Sequence, residues 1–256
     1  MNSLFSATHA AWLAAHPVSF FFFIPTLAAL IAALIWYVEA GRPARQRCII
    51  YWGLVVFAVF LFAFLAAAVE QQGAIVQFDT ALARAFAVAA PTELYGWLAR
   101  LTRLGDRNLL AIFAGCVMLI LLYQRRWVLA AGWVATLAGG GALNWALKHS
   151  FQRLRPEPIH GYVTVQGWSF PSGHASSAVA VYGILCYLTL RLLPAPWRGV
   201  CLFAAVWLIT AIGLSRVILQ AHYLSDVVAG FAITFAWLAV CVVVMERRLH
   251  GRAACL

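Results

Sequence analysis

Seven long apolar runs, separated by short basic loops, constrain this chain more than any other feature. They lie at about 19–38, 48–69, 109–123, 127–147, 174–190, 199–218 and 222–245. A helix needs roughly 20 apolar residues to cross the hydrocarbon core of a bilayer. Lipid offers no water to the backbone, so each run must satisfy its own N–H and C=O groups, and a helix does this. Only 10% of the 256 residues are charged and 64% are hydrophobic, whereas a soluble domain carries about 25% charged residues. An ordinary soluble enzyme, a disordered chain and a disulfide scaffold are excluded. The expected fold is all-α, a polytopic transmembrane helical bundle. The third run is short and borrows residues from Asp106 to Asn108. The first is not a cleavable signal peptide, because no Lys or Arg precedes it and Glu39 with three arginines follows it.

The loop charges orient the bundle. Arg42, Arg45, Arg47, Arg125, Arg126, Arg191, Arg198, Arg247, Arg248 and Arg252 fall on one side, with Glu39 and Glu246 as its acids. The other side holds the remaining eight of the 18 basic residues and six of the eight acids. The positive-inside rule places the arginine-rich side in the cytoplasm, with the N-terminus outside and the C-terminus inside. Trp36, Tyr37, Tyr51, Trp52, Tyr123, Trp127 and Trp197 stand near the run ends, where interfacial aromatics belong. The net charge of +10 does not indicate a nucleic-acid partner, because the basic residues are spread between apolar runs. Cys48, Cys116, Cys186, Cys201, Cys241 and Cys255 lack metal-ligand spacing and read as small apolar residues.

Two outer segments are not spans. Ala81 to Leu104 interleaves Leu82, Phe86, Leu94, Trp97, Leu98 and Leu101 with Arg84, Glu93, Arg100 and Arg103, which predicts an interfacial helix pair broken at Pro91. Residues 148–173 are polar, carry Pro156, Pro158 and Pro171, and read as an ordered loop or lid. Gly139, Gly140 and Gly141 predict close helix packing in the fourth run.

Ionisable groups at membrane depth are costly and point to function. Here they fall in three places, all on the outer side: Lys148 with Arg153, Arg155 and Pro156; Pro171 to His174; and Ser215-Arg216 with His222 and Asp226. Lys148, Arg155 and Arg216 supply three positive charges, and an arginine fork matches phosphate oxygens. Pro171-Ser172-Gly173 opening a helix offers backbone N–H groups and a hydroxyl to an anion. His222 and Asp226 are four residues apart, so on a helix they share a face, and an Asp behind a His fixes its tautomer. His222 is then placed to attack phosphorus and His174 to protonate the leaving oxygen. No carboxylate cluster suited to Mg²⁺ is present, and no metal or other cofactor is expected. Each part also has a structural reading. A Pro-Ser-Gly run is usually a turn. His222 and Asp226 alone make a plain helix pair. Arg153, Arg100, Arg103 and Arg107 read as solvated or headgroup contacts, and Trp168 and Phe170 as interfacial packing. His9, His16, His149 and His160 have no partner that the sequence names. The conjunction of the three groups on one face favours chemistry.

That conjunction resembles the type 2 phosphatidic acid phosphatase superfamily, which includes vanadium haloperoxidases and bacterial acid phosphatases. Its first motif is Lys, six residues, Arg-Pro, matched by Lys148 and Arg155-Pro156. Its second is Pro-Ser-Gly-His, matched by Pro171 to His174. Its third is Ser-Arg, five residues, His, three residues, Asp, matched by Ser215-Arg216, His222 and Asp226. The resemblance implies a six-helix core over residues 48–256, with residues 1–47 as an addition bearing an extra transmembrane helix. It implies that His222 is the nucleophile forming a phosphohistidine, that Asp226 orients it, and that His174 is the general acid and later activates water. Lys148, Arg155, Ser172, Gly173 and Arg216 would bind the phosphoryl group, with no metal. The implied activity is a phosphatase acting on a lipid phosphate or diphosphate, such as undecaprenyl diphosphate, phosphatidylglycerol phosphate, phosphatidic acid or a lipid A phosphate. The expected setting is a bacterial cytoplasmic (inner) membrane with the site facing the periplasm. A lipid phosphotransferase and a non-catalytic lipid carrier are the alternatives. Intact His174, His222 and Asp226 argue against the carrier.

Overall fold

A computed structural model describes residues 2–40, 44–89, 92–157 and 161–250. Pro91, Pro158, His160, Arg42, Arg252 and Cys255 lie outside the described residues, as do the side chains of Arg45, Arg47 and Cys48. The described residues are mostly helical and contain no strand. In chain order the helices are α1 (Asn2–Ala15), α2 (Pro17–Ala40), α3 (Ala44–Glu70), α4 (Ala74–Ala89), α5 (Thr92–Thr102), α6 (Arg107–Tyr123), α7 (Trp127–Phe151), α8 (Gly173–Ala178), α9 (Ile184–Leu192), α10 (Ala195–Ile218) and α11 (Leu224–His250). A π-helical turn, Val179–Gly183, joins α8 to α9, so residues 173–192 form one continuous segment.

Among the described residues, five helices are long and apolar enough to cross a membrane: Pro17–Glu39, Ile49–Glu70, Gly173–Leu192, Ala195–Ile218 and Leu224–Leu249. Glu93–Gly105 and Arg107–Tyr123, bent by 42° to one another, pass the same test only when taken together. The short third run thus reaches the required length only together with α5. Asp106 starts the second half, its carboxylate accepting from the N–H groups of Asn108 and Leu109. Glycines and Asn144 make α7 less apolar. Its 25 residues nonetheless extend about 37 Å at ~1.5 Å per residue. It runs antiparallel along α11, with Gly132 against Met245, Gly139 against Trp237 and Gly140 against Thr234. Lipid gives apolar helices little reason to associate, and close backbone approach supplies contact instead. A Cβ on Gly139 would stand 2.3 Å from the Trp237 ring. Phe57, Phe60, Phe64, Ile112 and Leu119 remain outward and exposed, as lipid-facing residues do.

Two departures from the sequence reading matter for the site. Residues 2–15 form a helix, α1, that the apolar runs did not announce. It packs on α4, with its Ala10 and Ala14, and Phe21 of α2, buried among Leu82, Phe86, Tyr95 and Leu98. The expected interfacial pair also starts earlier, at Ala74, and its apolar face is covered by protein rather than by lipid alone. Tyr95 closes the α4–α5 corner by donating to the Phe86 carbonyl at 2.7 Å.

Candidate active site

The three polar groups meet at one end of the bundle. Lys148 stands on the last turn of α7, and Gln152, in the left-handed region at φ 46°, ends that helix and releases the polar loop. The loop folds back on itself. Ser169 N–H donates to the Arg153 carbonyl at 2.8 Å. Lys148 Nζ donates to the carbonyls of Trp168 at 2.5 Å and Ser169 at 3.3 Å. Arg155 spreads its donors over Gln166, Gly167, Trp168 and Ala221 carbonyls. These cations therefore order the loop before any ligand arrives.

Ser172 caps α8, and its N–H reaches the Asp226 carbonyl at 2.9 Å. That bond joins the second motif to the third. Asn144 on α7 donates to Ser176 Oγ at 3.0 Å and fastens α8 from the other side.

His222 does not lie on α11. It sits in the turn between α10 and α11, where its N–H donates to the Arg216 carbonyl at 3.2 Å, and the preceding Gln220 has φ 56°. The expected helical face is thus replaced by a helix start. Asp226 is three residues past Tyr223, and its Oδ2 accepts the Tyr223 N–H at 2.9 Å, half of a capping box. The same oxygen faces His222 Nδ1 at 3.5 Å and accepts from the Ser169 hydroxyl. On the other side of the ring, Arg155 donates to Nε2 at 3.0 Å. A guanidinium only donates, so Nε2 carries the lone pair and Nδ1 the proton. Burial pushes the imidazole down to about 3, Asp226 pulls it back in part, and Arg155 and Arg216 push it further down. The ring is therefore neutral, with its basic nitrogen aimed away from Asp226.

Arg216 is 4% exposed. It donates to Thr102 Oγ1 at 3.2 Å, while its buried Nε has no partner among the described residues. An unpaired N–H on a buried guanidinium is costly and points to an absent acceptor. Lys148, Arg155, Gly173, His174, Arg216 and His222 line a cavity of about 1110 Å³. Ser172 and Asp226 stand behind this wall rather than in it. The cavity continues between α6 and α7 past Ala111, Ala114, Leu137, Ala138, Gly140 and Gly141. Among the described residues, no group of three His, Cys, Asp or Glu side chains is placed to hold a metal ion.

Arg153 corrects the sequence reading. It is not a solvated headgroup contact but is buried, with NH1 to Asp226 Oδ1 at 2.6 Å and NH2 to Asp79 Oδ2 at 2.9 Å. Burial alone lowers its affinity for the proton, and the two carboxylates more than offset this. Phe170 is fully buried against Phe62 and Phe151, so it packs inside the bundle. Sequence reasoning also missed Ser169, Ser225 and Asp79. The signal for Asp79 was available: Asp79, Leu82 and Phe86 are spaced three and four apart, so the acid lies on the buried stripe of α4.

Residues 129–250 match the model of the PAP2 superfamily. Phosphatidylglycerophosphatase B of Bacillus subtilis is 28% identical over 183 residues, covering 69% of this chain and 87% of that protein. A lipid A 1-phosphatase of Rhizobium johnstonii is 32% identical over 122 residues, covering 44% and 46%. The chain thus spans under half of that second relative. The crystal structure of a transmembrane PAP2 type phosphatidylglycerolphosphate phosphatase from Bacillus subtilis superposes with a TM-score of 0.68 at 25% identity. It covers 78% of this chain and 98% of that one. Over residues 129–250 the chain is thus similar to the PAP2 superfamily, and over most of its length to membrane-embedded phosphatases of that type.

Proposed function

We propose that this protein is a PAP2-type phosphatase, which hydrolyses the phosphate head of a membrane lipid through a phosphohistidine on His222, without a metal. One observation carries the lipid reading. The cavity holds Lys148, Arg155, His174, Arg216 and His222 at its polar end and runs into a groove of small apolar residues between α6 and α7. A phosphate fits the first part and an acyl or prenyl chain the second. The two named relatives act on phosphatidylglycerophosphate and lipid A, which favours a phospholipid phosphate over a free phosphate ester.

The chemistry follows from the resting geometry. Arg155 donates to His222 Nε2. An arriving phosphoryl group offers that guanidinium better acceptors, so Arg155 turns to it and uncovers the lone pair. Arg216 Nε gains its missing acceptor, and Lys148 and the backbone at Gly173 complete the cradle. Nε2 attacks phosphorus as the P–O bond to the lipid breaks, and His174 gives a proton to the leaving oxygen. The ring keeps its Nδ1 proton and becomes cationic, stabilised by Asp226. His174 then takes a proton from water, which attacks phosphorus, breaks the P–N bond and releases inorganic phosphate. The loop charges support a site on the outer face of a bacterial inner membrane. Residues 48–256 would form the catalytic core, with 1–47 as the addition that braces α4.

The test is phosphate release by the detergent-purified protein in EDTA, from phosphatidylglycerol phosphate, undecaprenyl diphosphate, phosphatidic acid and lipid A phosphates. The expected result is release from at least one lipid, inhibition by vanadate and loss in His222→Ala. Activity surviving in that variant, or abolished by EDTA, would overturn the mechanism. Transfer of phosphate to an added lipid in place of release would make the protein a phosphotransferase.

A further inference from the structure

The nucleophile's carboxylate is itself held by a second, buried charge layer. Asp226 uses Oδ2 for the Tyr223 N–H, the Ser169 hydroxyl and His222, and Oδ1 for Arg153. The Arg153 guanidinium lies over the Tyr223 ring at 4.2 Å and bridges two carboxylates, Asp226 and Asp79. Ser225 completes the bridge. Its hydroxyl accepts from Arg153 at 2.7 Å and donates to Asp79 Oδ2 at 2.5 Å, while its N–H donates to Asp79 Oδ1 at 3.1 Å. Asp79, Arg153, Ser225 and Asp226 are all buried. Asp79, Arg153 and Ser225 do not line the cavity, so they cannot touch substrate there.

We infer that Asp79 on α4 is a positioning residue for the reaction, acting on His222 through Arg153 and Asp226. Two effects follow from the geometry. Ser225 and Arg153 tie the first turn of α11 to α4, which fixes where the Asp226 carboxylate points. Asp79 also shares the Arg153 charge. Burial raises the Asp79 carboxyl, and Ser225 and Arg153 pull it back down; with both acids ionised against one guanidinium, the buried cluster carries one net negative charge and faces a neutral ring. That charge is balanced only when His222 becomes cationic as a phosphohistidine. Removing the Asp79 charge leaves Arg153 opposing that cation through Asp226. A buried ion pair is weak evidence of stability in itself. Its placement one residue from the nucleophile's partner gives it a different use, since the interaction strengthens as the ring acquires charge.

This inference rests on the reading of His222 as nucleophile, so the test has an arm that does not need turnover. Asp79→Asn keeps the shape of the side chain and removes its charge. The expected result is a roughly tenfold fall in kcat for the folded enzyme, with KM within about twofold, since no cavity contact is lost. Arg153→Gln should fall further, and Arg153→Lys should recover part of the loss. The Asp79→Asn/Arg153→Gln double variant should be no slower than Arg153→Gln alone, because Asp79 acts through Arg153. A residue that only holds α4 to α11 would lower the thermal midpoint while leaving kcat per folded molecule unchanged. That outcome, or fully additive losses in the double variant, would overturn the inference. The second arm is the ¹⁵N–¹H signal of the His222 Nδ1 proton in detergent, assigned by its loss in His222→Gln. Asp79→Asn should move it toward the position of a free imidazole, and an unmoved signal would count against the coupling. If His222→Ala keeps its phosphatase activity, the phosphohistidine reading fails, and the signal still decides whether Asp79 reaches the ring.

Discussion

Replacing Gly230 with alanine tests whether the spacing between α8 and α11 sets the site. Gly230 is one turn beyond Asp226. A Cβ there would stand 2.9 Å from the Ser172 carbonyl oxygen, 3.2 Å from Ser176 Oγ and 3.3 Å from the Ala175 Cβ. Ordinary carbon–oxygen contact lies a few tenths of an ångström further out, and the nearest atom is backbone, so α8 must retreat by about 0.4 Å. Overpacking of this kind costs about 1–3 kcal/mol, and the gain in helix propensity returns about 1 kcal/mol. The net loss of stability is therefore about 0–2 kcal/mol, and the protein stays folded. The rate should suffer more than the stability. A displacement of ~1 Å in a catalytic constellation costs on the order of 100-fold, so a shift of about 0.4 Å should cost about 3- to 10-fold in kcat. The retreat separates Ser172, Gly173 and His174 from His222 and stretches the Ser172 N–H bond to the Asp226 carbonyl. The assay is kcat on a lipid phosphate in mixed micelles beside the thermal midpoint. Gly115→Ala serves as control, since a Cβ there meets nothing within 4 Å. An unchanged kcat in Gly230→Ala would refute the argument that this contact spaces the two halves of the site.

Two further outcomes follow from the same geometry. Gly141 lines the groove, and a Cβ there has open space. Gly141→Leu should therefore raise KM for a long-chain lipid phosphate several-fold and leave a water-soluble phosphate ester nearly unaffected; equal effects on both would argue against the groove as the chain site. His222 is held near 3 in the fold against ~6.5 when unfolded. The unfolded chain thus binds the extra proton between these values. Stability is full above about pH 6.5 and is lost as the pH falls toward 3. Thermal midpoints from pH 7 to 5 should fall less steeply in His222→Gln than in the parent, and parallel curves would show that the ring is not buried neutral.

The sequence by itself determined the membrane bundle and the polar residues that line the candidate site. Apolar runs near bilayer length leave the backbone no alternative to helix. Lys148, Arg155, the Pro171–His174 run, Arg216, His222 and Asp226 were legible because fixed chemistry demands residue types at fixed spacings within short segments. Tertiary structure decided what depends on contacts between distant segments. The partnership of Asp79 with Arg153 joins residues 74 positions apart, and no local pattern states which acid answers a buried arginine. The His222–Asp226 pair shows the same limit at short range. Their spacing suggested a helix face, and the fold instead places His222 in a turn whose N–H groups return to the Arg216 carbonyl, with Asp226 capping the next helix. Helix α1 was invisible for a related reason. Its 14 residues are too short and too mixed to announce a span, and α4, which gives them a surface to pack on, lies some 60 residues away.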